Sequence, residues 1–402
     1  MEHDGDTRTL PPVEYEPVPV KDVLVEMKDT AELAIDLAYS AVLHRDEDLA
    51  AEVLRLERFM AVLNMRARMG IMMAARSPDD VEQLAPVLGI AMATEAISDA
   101  AADIASIVLE EMGLPEAIRA VLPEATETLV QGQVIADSPY AGETLVDIDL
   151  ETATGVRVIA VRRGDDWLLN PGPGTDLQGM DIAFLRGPTD AVEEVFRTLT
   201  GRPYRPPNSG GATSVPDLAR AIDMIVHMKD LSELAVDLAY SSVLFDSESL
   251  AEEVRAIEVE VDAMRTRFEA WALRASAEVD DPVRLRGLIR LGTETEVISD
   301  AAVDIIEGIR WSEGGHPVVQ LAVDESDEVL SRIVVDPDGP LADTRVEAGV
   351  PEAEPAMSVL AIRRPEEGWI LVGNADAEMR PGDVVIAKGT RGAAAEFEAQ
   401  AS

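Results

Sequence analysis

Residues Met27–Leu43 read MKDTAELAIDLAYSAVL, and this stretch recurs at Met228–Leu244 as MKDLSELAVDLAYSSVL. Thirteen of the 17 positions are identical, at an offset of 201 residues. TEAISDAAADI at Thr94–Ile104 recurs at the same offset as TEVISDAAVDI at Thr295–Ile305. An offset that stays constant over so long a span indicates tandem duplication, so the chain is predicted to use one structural unit twice.

Each unit begins with a segment rich in Ala, Leu and Glu and poor in Gly and Pro, which predicts amphipathic helices. Acidic or proline-containing stretches interrupt this pattern twice in each copy. The predicted helices cover residues 20–44, 47–76 and 79–112, and then 216–245, 247–277 and 282–310. Short connections favour antiparallel neighbours, so we expect two antiparallel three-helix bundles.

After Gly113 the pattern changes to short apolar runs bounded by Gly, Pro and Asp, which are typical of strands. The first copy predicts strands at Thr128–Ala136, Val156–Val161, Trp167–Asn170 and Ile182–Leu185, a helical turn at Gly142–Leu150 and a helix at Thr189–Leu199. Residues 316–400 are predicted to repeat this order with a longer, proline-rich insertion near Val346–Pro355. The fold class is therefore multidomain, with two helical bundles that alternate with two small α+β domains.

These patterns also predict the domain boundaries. The bundles are placed at 18–112 and 214–312, the α+β domains at 118–201 and 316–400, and a linker at 202–213. Pro and Gly dominate the linker, as is usual at an exposed boundary.

The charge of the chain is extreme, with 77 acidic residues, 34 basic residues and a net charge of -43. Only four of the basic residues are lysines. This composition predicts a halophilic protein, because salt screens charge repulsion beyond about 3 Å at 1 M. The same charge argues against nucleic acid and anionic lipid as partners, since both require basic patches.

The chain has no cysteine, which excludes disulfides, thiol catalysis and Cys-ligated zinc. No charge-free apolar run approaches the ~18 residues that a membrane-spanning helix needs. The polar segment Met1–Thr9 does not resemble a signal peptide. We therefore expect a cytoplasmic protein that reaches the membrane only peripherally, through a transporter partner.

Acidic residues spaced four apart recur in the first and third helices of each bundle. Residues at i and i+4 share one helix face, so each set predicts a stripe of carboxylates. The ten residues are Glu32, Asp36, Glu95, Asp99, Asp103, Glu233, Asp237, Glu296, Asp300 and Asp304. The stripes fit either an ordinary acidic surface or a site for divalent metal ions with oxygen ligands.

The helical units resemble the PhoU family of phosphate-signalling regulators. In that family, Glu/Asp-x-x-x-Asp motifs bind multinuclear metal clusters on the bundle surface. The resemblance assigns metal binding to Glu32/Asp36, Glu95/Asp99 and their repeat partners, Glu233/Asp237 and Glu296/Asp300. The resemblance covers about half of the chain, and this chain differs from the family by placing another domain between its helical units.

The α+β units resemble the TrkA C-terminal domain, which is also the C-terminal domain of regulators of potassium conductance (RCK). The resemblance rests on Gly142, Leu145, Gly155–Arg163, Pro171, Gly179 with Asp181, and Gly187. An extra residue, Met180, interrupts a Gly-Asp pair that the second copy keeps as Gly382-Asp383, before a closing Gly389. The second copy also has Gly373-Asn374 in place of the proline turn. The resemblance implies a dimeric sensor, or an intramolecular pseudo-dimer, that acts on a membrane cation transporter or channel.

Paired arginines follow the strand VIAVRR at Val158–Arg163 and its repeat VLAIRR at Val359–Arg364. Guanidinium pairs bind phosphates and carboxylates, so Arg162, Arg163, Arg363 and Arg364 are candidate ligands for a nucleotide-type small molecule. The alternative is that they neutralise nearby Asp or Glu. No Gly-x-Gly-x-x-Gly follows a strand, so NAD and ATP sites are not predicted.

We expect the chain not to be an enzyme, because its four histidines are not kept between the copies. The predicted function is regulation of monovalent cation transport, with potassium as the expected ion, through the TrkA C-terminal-like units. A PhoU-like metal-binding regulator of phosphate transport is the alternative, and an interaction scaffold is a third interpretation.

Overall fold

A computed structural model describes residues 18–118, 128–204, 213–245, 247–309, 328–337, 339–347, 350–351, 357–365, 367–372 and 377–400. Several sequence predictions concern residues outside these ranges. They are the N-terminal segment Met1–Thr9, most of the linker at 202–213, part of the segment Val346–Pro355, and Gly373-Asn374.

The first helical region contains α1 (Val20–His44), α2 (Glu47–Ala74) and α3 (Pro78–Leu109), close to the predicted bounds. Helix α1 ends where Arg45 adopts a left-handed conformation with φ 50° and donates its backbone N–H to the carbonyl of Ala41. The Asp46 carboxylate then accepts the backbone N–H groups of Asp48 (2.9 Å) and Leu49 (3.0 Å). Asp46 therefore supplies the acceptors that the first turn of α2 requires.

Helix α3 is the one helix in the described part of the chain whose length and composition would allow it to cross a membrane. In this structure 61% of its apolar window is buried inside the protein. A buried core helix passes the same test, so α3 is weak evidence for a membrane span.

The first sheet domain contains β1 (Thr128–Gln133), α4 (Leu145–Ile148), α5 (Leu150–Thr154), β2 (Arg157–Arg163), β3 (Asp166–Leu169), β4 (Ile182–Gly187) and α6 (Thr189–Thr200). The sheet order is β1-β4-β2-β3, and all neighbouring strands are antiparallel. Apolar side chains of α6, among them Val192, Val195 and Leu199, join Val161 and Leu185 of the sheet in one core. An amphipathic helix on one sheet face is the predicted α+β arrangement.

The second helical region contains α7 (Pro216–Leu244), α8 (Glu248–Ala275) and α9 (Arg286–Ile309). A 3-10 turn, Pro282–Leu285, precedes α9, so the third helix starts later than the predicted residue 282. The Asp281 side chain accepts the backbone N–H of Val283 at 3.1 Å, and Pro282 occupies the first position of the turn. Both features are typical N-terminal signals.

The second sheet domain contains β5 (Glu328–Val334), β6 (Thr344–Glu347), β7 (Val350–Pro351), β8 (Met357–Arg364), β9 (Gly368–Leu371), β10 (Ala377–Met379), β11 (Val384–Thr390) and α10 (Arg391–Gln400). Its four-stranded sheet has the order β5-β11-β8-β9, which matches the first copy strand for strand. Strands β10, β6 and β7 form a separate three-stranded sheet. Phe397 of α10 is fully buried in the core of this domain.

The prediction of a longer insertion near Val346–Pro355 is wrong. The backbone N–H of Val134 donates to Asp181 O at 2.8 Å, and Val335 makes the equivalent bond to Asp383 O at 2.9 Å. The offset is therefore still 201 at Val134/Val335, and it is again 201 at Arg162/Arg363. The segment has the same length in both copies, but α4 and α5 of the first copy are replaced by β6 and β7 in the second.

The interpretation of Met180 as an extra residue is also wrong. Met180 has φ 79° and donates its N–H to Val134 O at 2.8 Å. Gly382 has φ 86° and donates to Val335 O at 2.8 Å. Met180 therefore takes the left-handed position of Gly382, a conformation in which glycine carries no steric penalty.

Contacts divide the chain into two compact units, and neither unit coincides with a sequence copy. The first unit comprises Met1–Ala74, Ala91–Lys229 and Val261–Ala301, and the second comprises Ala75–Ile90, Asp230–Glu260 and Ala302–Ser402. Within the first unit, helices of both copies touch directly. Tyr39 and Thr295 share a buried hydroxyl–hydroxyl hydrogen bond of 2.8 Å, and the Arg290 guanidinium lies 2.5 Å from the Asp103 carboxylate.

Candidate functional site

In the first copy, a buried ion pair joins the helical region to the sheet domain. Arg162, on β2, donates from Nε to Oε2 of Glu52 at 2.7 Å and from Nη2 to Oε1 at 2.8 Å. Glu52 lies on α2 and is only 4% exposed. A bidentate pair of this kind is both strong and directional, so it fixes the sheet against one position of the helix.

The second copy repeats this pair at the equivalent residues. Arg363, on β8, donates to Glu253 of α8 through Nε (2.7 Å) and Nη2 (2.8 Å). Glu253 also accepts from Arg332 Nε of β5 at 2.8 Å. In the first copy the additional basic partner of Glu52 is Arg55, 3.0 Å away on the same helix. The two copies thus share the central pair and differ in the second arginine.

The next arginine of each strand forms an ion pair within the sheet domain. Arg163 donates to Asp181 from Nε (3.0 Å) and Nη2 (2.8 Å), and Arg364 makes the same contacts with Asp383 (both 3.0 Å). The two aspartates are almost fully buried. Hydrogen bonding to these carboxylates raises the pKa of Arg163 and Arg364 above the ordinary arginine value.

These aspartates also hold the turn that precedes the last strand. Asp181 accepts the backbone N–H of Gln178 at 2.8 Å, and Asp383 accepts that of Arg380 at 2.8 Å. Successive residues of a strand point to opposite sides. One arginine of each pair therefore contacts the helical region while the next one fastens a turn within the sheet domain.

The ion pairs of these arginines restrict how a ligand could bind at Arg162, Arg163, Arg363 and Arg364, the predicted ligand-binding residues. All four guanidiniums contact buried carboxylates in this structure. An anionic ligand could reach them only in competition with Glu52, Glu253, Asp181 or Asp383. Ligand binding at these residues stays a prediction, and its chemistry would be an exchange of one anion for another.

The predicted metal-binding carboxylates of the first copy mostly contact basic side chains. Glu32 lies 2.6 Å from Lys28 Nζ, and Asp36 of α1 pairs with Arg186 of β4. Glu95 lies 3.2 Å from Arg68 Nη2 and accepts a hydrogen bond from Asn64, while Asp103 pairs with Arg290. Asp36 thus provides a second link between the helices and the first sheet domain.

Asp99 differs from these residues because the structure gives it no basic partner within the described ranges. Partial burial, followed by the negative charge of Asp103, raises the pKa of Asp99. Burial likewise raises the pKa of Glu32 and Glu95, although Lys28 and Arg68 oppose the shift.

In the second copy, Glu233 and Asp237 lie on α7, and Glu296, Asp300 and Asp304 lie on α9. Glu296 pairs with Arg265 of α8. Burial, and then the charge of Glu307, raises the pKa of Asp304. Among the residues that the structure describes, no group of three or more His, Asp or Glu side chains is arranged to hold a metal ion. Metal binding therefore stays a prediction.

Sequence reasoning missed the buried acids to which the arginines bind. These acids are Glu52 and Glu253, which also recur at the offset of 201. Their positions could have identified them as buried. Glu52 lies between Leu49 and Leu56, and Glu253 lies between Leu250 and Ile257, at spacings that place each acid on the apolar face of its helix. A carboxylate kept in both copies on a buried face requires a cationic partner.

Comparisons with known proteins agree with this architecture. The PhoU domain model matches residues 24–108 and 225–309, and the TrkA-C domain model matches residues 129–200 and 330–402. No curated protein matches the sequence.

Solved structures with detectable similarity include PhoU from Pseudomonas aeruginosa, with 14% identity over 76% of this chain and 96% of that chain, and a TM-score of 0.41. They also include the GsuK RCK domain, with 12% identity over 68% of this chain and 63% of that chain (TM-score 0.18). The GsuK channel shows 12% identity over 86% and 65%, with a TM-score of 0.20. The two domain models match in alternation and twice each, and the chain is a tandem duplication in which two PhoU domains alternate with two TrkA-C domains.

Proposed function

We propose that the protein is a non-enzymatic regulatory subunit that controls a membrane transporter or channel for monovalent cations, with potassium as the ion. The observation that carries the proposal is the buried Glu52–Arg162 pair, which joins a PhoU helix to a TrkA-C strand and recurs as Glu253–Arg363. A regulator needs such a link, because a ligand must favour one of two arrangements of the molecule to have an effect elsewhere.

In this mechanism a small anionic ligand, of nucleotide type, binds the TrkA-C domains and competes for the paired arginines. Loss of the bidentate contact leaves the buried Glu52 with only the more exposed Arg55 as a basic partner, so the helical region and the sheet domain move apart or repack. The partner transporter responds to this change. The contacts between helices of the two copies in the first unit support an intramolecular pseudo-dimer, and a homodimer is the alternative assembly.

The test is a gene deletion complemented with three versions of the chain: wild type, Glu52→Gln and Arg55→Ala. Potassium uptake is measured at limiting and at replete potassium. We expect the deletion and Glu52→Gln to change the response of uptake to potassium supply, and Arg55→Ala to behave as wild type because Arg55 is more exposed. Unchanged uptake in the deletion strain would refute the proposal.

A second candidate function is a metal-binding regulator of phosphate transport. Two PhoU matches and the raised pKa of Asp99, a carboxylate without a basic partner in the described ranges, favour it. The test is metal analysis of protein purified in high salt, with Asp99→Ala and Asp300→Ala compared with the control Asp80→Ala. Bound metal lost only in the first two variants, together with altered phosphate uptake in the deletion strain, supports this function.

A further inference from the structure

Each copy brings a second arginine to the buried glutamate of its helical region, but the two arginines come from different elements. In the first copy it is Arg55 of α2, whose Nη1 lies 3.0 Å from Oε1 of Glu52. In the second copy it is Arg332 of β5, whose Nε lies 2.8 Å from Oε1 of Glu253. We call Arg55 and Arg332 the second arginines, and the contact between each buried glutamate and its sheet domain a junction.

The two second arginines approach the same place on their carboxylates. Arg162 and Arg363 each donate from Nε to Oε2 and from Nη2 to Oε1 of their glutamate. The second arginine then contacts Oε1 as well, in both copies. A junction that contained both second arginines would therefore bring two further guanidiniums to one carboxylate oxygen, where they would repel each other.

The residues at these positions differ between the copies in a compensating way. The equivalent of Arg55 in α8 is Ala256, and the equivalent of Arg332 in β1 is Gln131. Strands β1 and β5 occupy the same edge of their sheets, which supports the second equivalence. Each copy therefore has one second arginine, on the helix in the first copy and on the sheet in the second.

The rest of the junction does not distinguish the copies. Its central ion pair is Glu52–Arg162 in one copy and Glu253–Arg363 in the other, with the same atoms in contact. The helices that carry the glutamates also bury apolar residues at equivalent positions. Repeats with such similar faces are prone to misassembly, in which one element docks on the partner of the other. A feature that differs between the copies is needed to prevent this.

We propose that the second arginines are specificity determinants that match each sheet domain to the helical region of its own copy. In the observed pairing, each buried glutamate contacts two guanidiniums. If the sheet domains were exchanged, Glu52 would face three guanidiniums and Glu253 only one, because Arg55 stays with its helix while Arg332 moves with its sheet. The inference rests on these contacts alone and does not depend on which ion or metabolite the protein regulates.

The physical reason is the distribution of charge between the two junctions. A carboxylate with two guanidiniums has a net charge of +1, so the observed pairing places +1 at each junction, whereas the exchanged pairing would place +2 at Glu52 and leave Glu253 neutral overall. Repulsion rises with the product of the charges, and the glutamates are almost fully buried, so the uneven distribution has the higher energy. The side chains of the second arginines are 43% and 21% exposed, which makes the expected effect moderate.

The test uses three variants of the full chain that all keep its composition and its net charge of -43. The sheet exchange combines Gln131→Arg with Arg332→Gln, and the helix exchange combines Arg55→Ala with Ala256→Arg. Each of these leaves one buried glutamate with three guanidiniums and the other with one. The full exchange combines all four substitutions and restores two guanidiniums to each glutamate. Differential scanning calorimetry in molar potassium chloride measures the unfolding temperature of each variant.

We expect the sheet exchange and the helix exchange each to unfold about 3 °C or more below wild type, and the full exchange to return to within about 1 °C of it. Single exchanges that unfold at the wild-type temperature would overturn the proposal. So would a full exchange that loses the sum of the two single losses, because each arginine would then act independently of the other element. If a single exchange does not fold, circular dichroism of the full exchange decides: a folded chain supports the proposal, and an unfolded chain overturns it.

Discussion

At the scale of single residues, two adjacent arginines on one strand form ion pairs with carboxylates in different parts of the molecule. Arg162 reaches Glu52 in the helical region, and Arg163 fastens the turn that ends at Asp181. Because each carboxylate is almost fully buried, its charge is tolerated only while the guanidinium is in place. The same division of tasks in the second copy indicates that the arrangement predates the divergence of the two sheet domains.

Glu52→Gln removes the charge of the buried pair and leaves the Arg162 guanidinium poorly satisfied. We expect the free energy of unfolding to fall by about 3 kcal/mol, as for other broken buried pairs. Urea unfolding in molar salt, followed by circular dichroism, measures the change. Arg55→Ala, which removes the more exposed partner of Glu52, is the control and should cost less than about 1 kcal/mol. Similar losses in both variants would contradict the central role of Arg162.

Met180→Gly should stabilise the first sheet domain. Met180 has φ 79° and is 73% exposed, so its side chain loses little packing when it is removed. Relief of the left-handed strain outweighs the greater flexibility of glycine in the unfolded chain, with a net gain of about 1 kcal/mol. The reciprocal Gly382→Met should cost about as much through backbone strain alone, because a Cβ at Gly382 would meet no atom within 4 Å. Thermal unfolding of both variants tests the pair.

At the scale of elements, the end of the third helix of the first copy meets the turn before the third helix of the second. The Gly287 N–H donates to Gly113 O at 2.9 Å, and a Cβ on Gly113 would lie 2.3 Å from Arg284 Cα. The two segments can approach this closely only because Gly113 has no side chain. The contact lies within the first compact unit and joins segments from both sequence copies.

Gly113→Ala should therefore separate these segments. The new methyl group would collide with backbone, which cannot move as a flexible side chain can, and we expect a loss of about 2 kcal/mol in unfolding free energy. Gly172→Ala is the matched control, since a Cβ there meets nothing within 4 Å. Unfolding monitored by tryptophan fluorescence distinguishes the two. Equal stability of Gly113→Ala and wild type would show that the contact is dispensable.

At the scale of the whole molecule, the net charge of -43 dominates the response to salt. Many carboxylates lie in ion pairs with arginine, but the excess of acid over base leaves a strong mutual repulsion. The screening length is about 3 Å at 1 M salt and about 10 Å at 0.1 M. When the salt is diluted, each carboxylate therefore repels not only its nearest neighbours but also carboxylates about one helix turn or more away.

We expect the unfolding temperature to fall steadily as potassium chloride is diluted from molar to ~0.1 M, because the unfolded chain spreads its charges further apart. Differential scanning calorimetry over a salt series measures the trend. Sucrose at matched osmolality is the control, since it does not screen charge. An unfolding temperature that does not depend on salt would contradict the prediction of a halophilic protein.

The sequence by itself determined the duplication, the order of helices and strands in the first copy, and the similarity to two domain families. These features depend on local periodicity and on an offset of 201 residues that stays constant from the first helix to the paired arginines, both of which are properties of the linear chain. The end of α1 and the start of α2 could be predicted for the same reason, because Arg45 and Asp46 form hydrogen bonds with residues within one helical turn.

Only the tertiary structure decided what the charged residues contact. Glu52 and Arg162 are 110 residues apart, and spacing along a helix shows which side chains share a face but not what lies opposite that face. The spacing of the acidic residues predicts stripes on the helices, but the sequence could not show that Lys28, Arg68, Arg186 and Arg290 lie beside these carboxylates. The repeated unit is thus held together by buried pairs whose partners are brought together only when the chain packs.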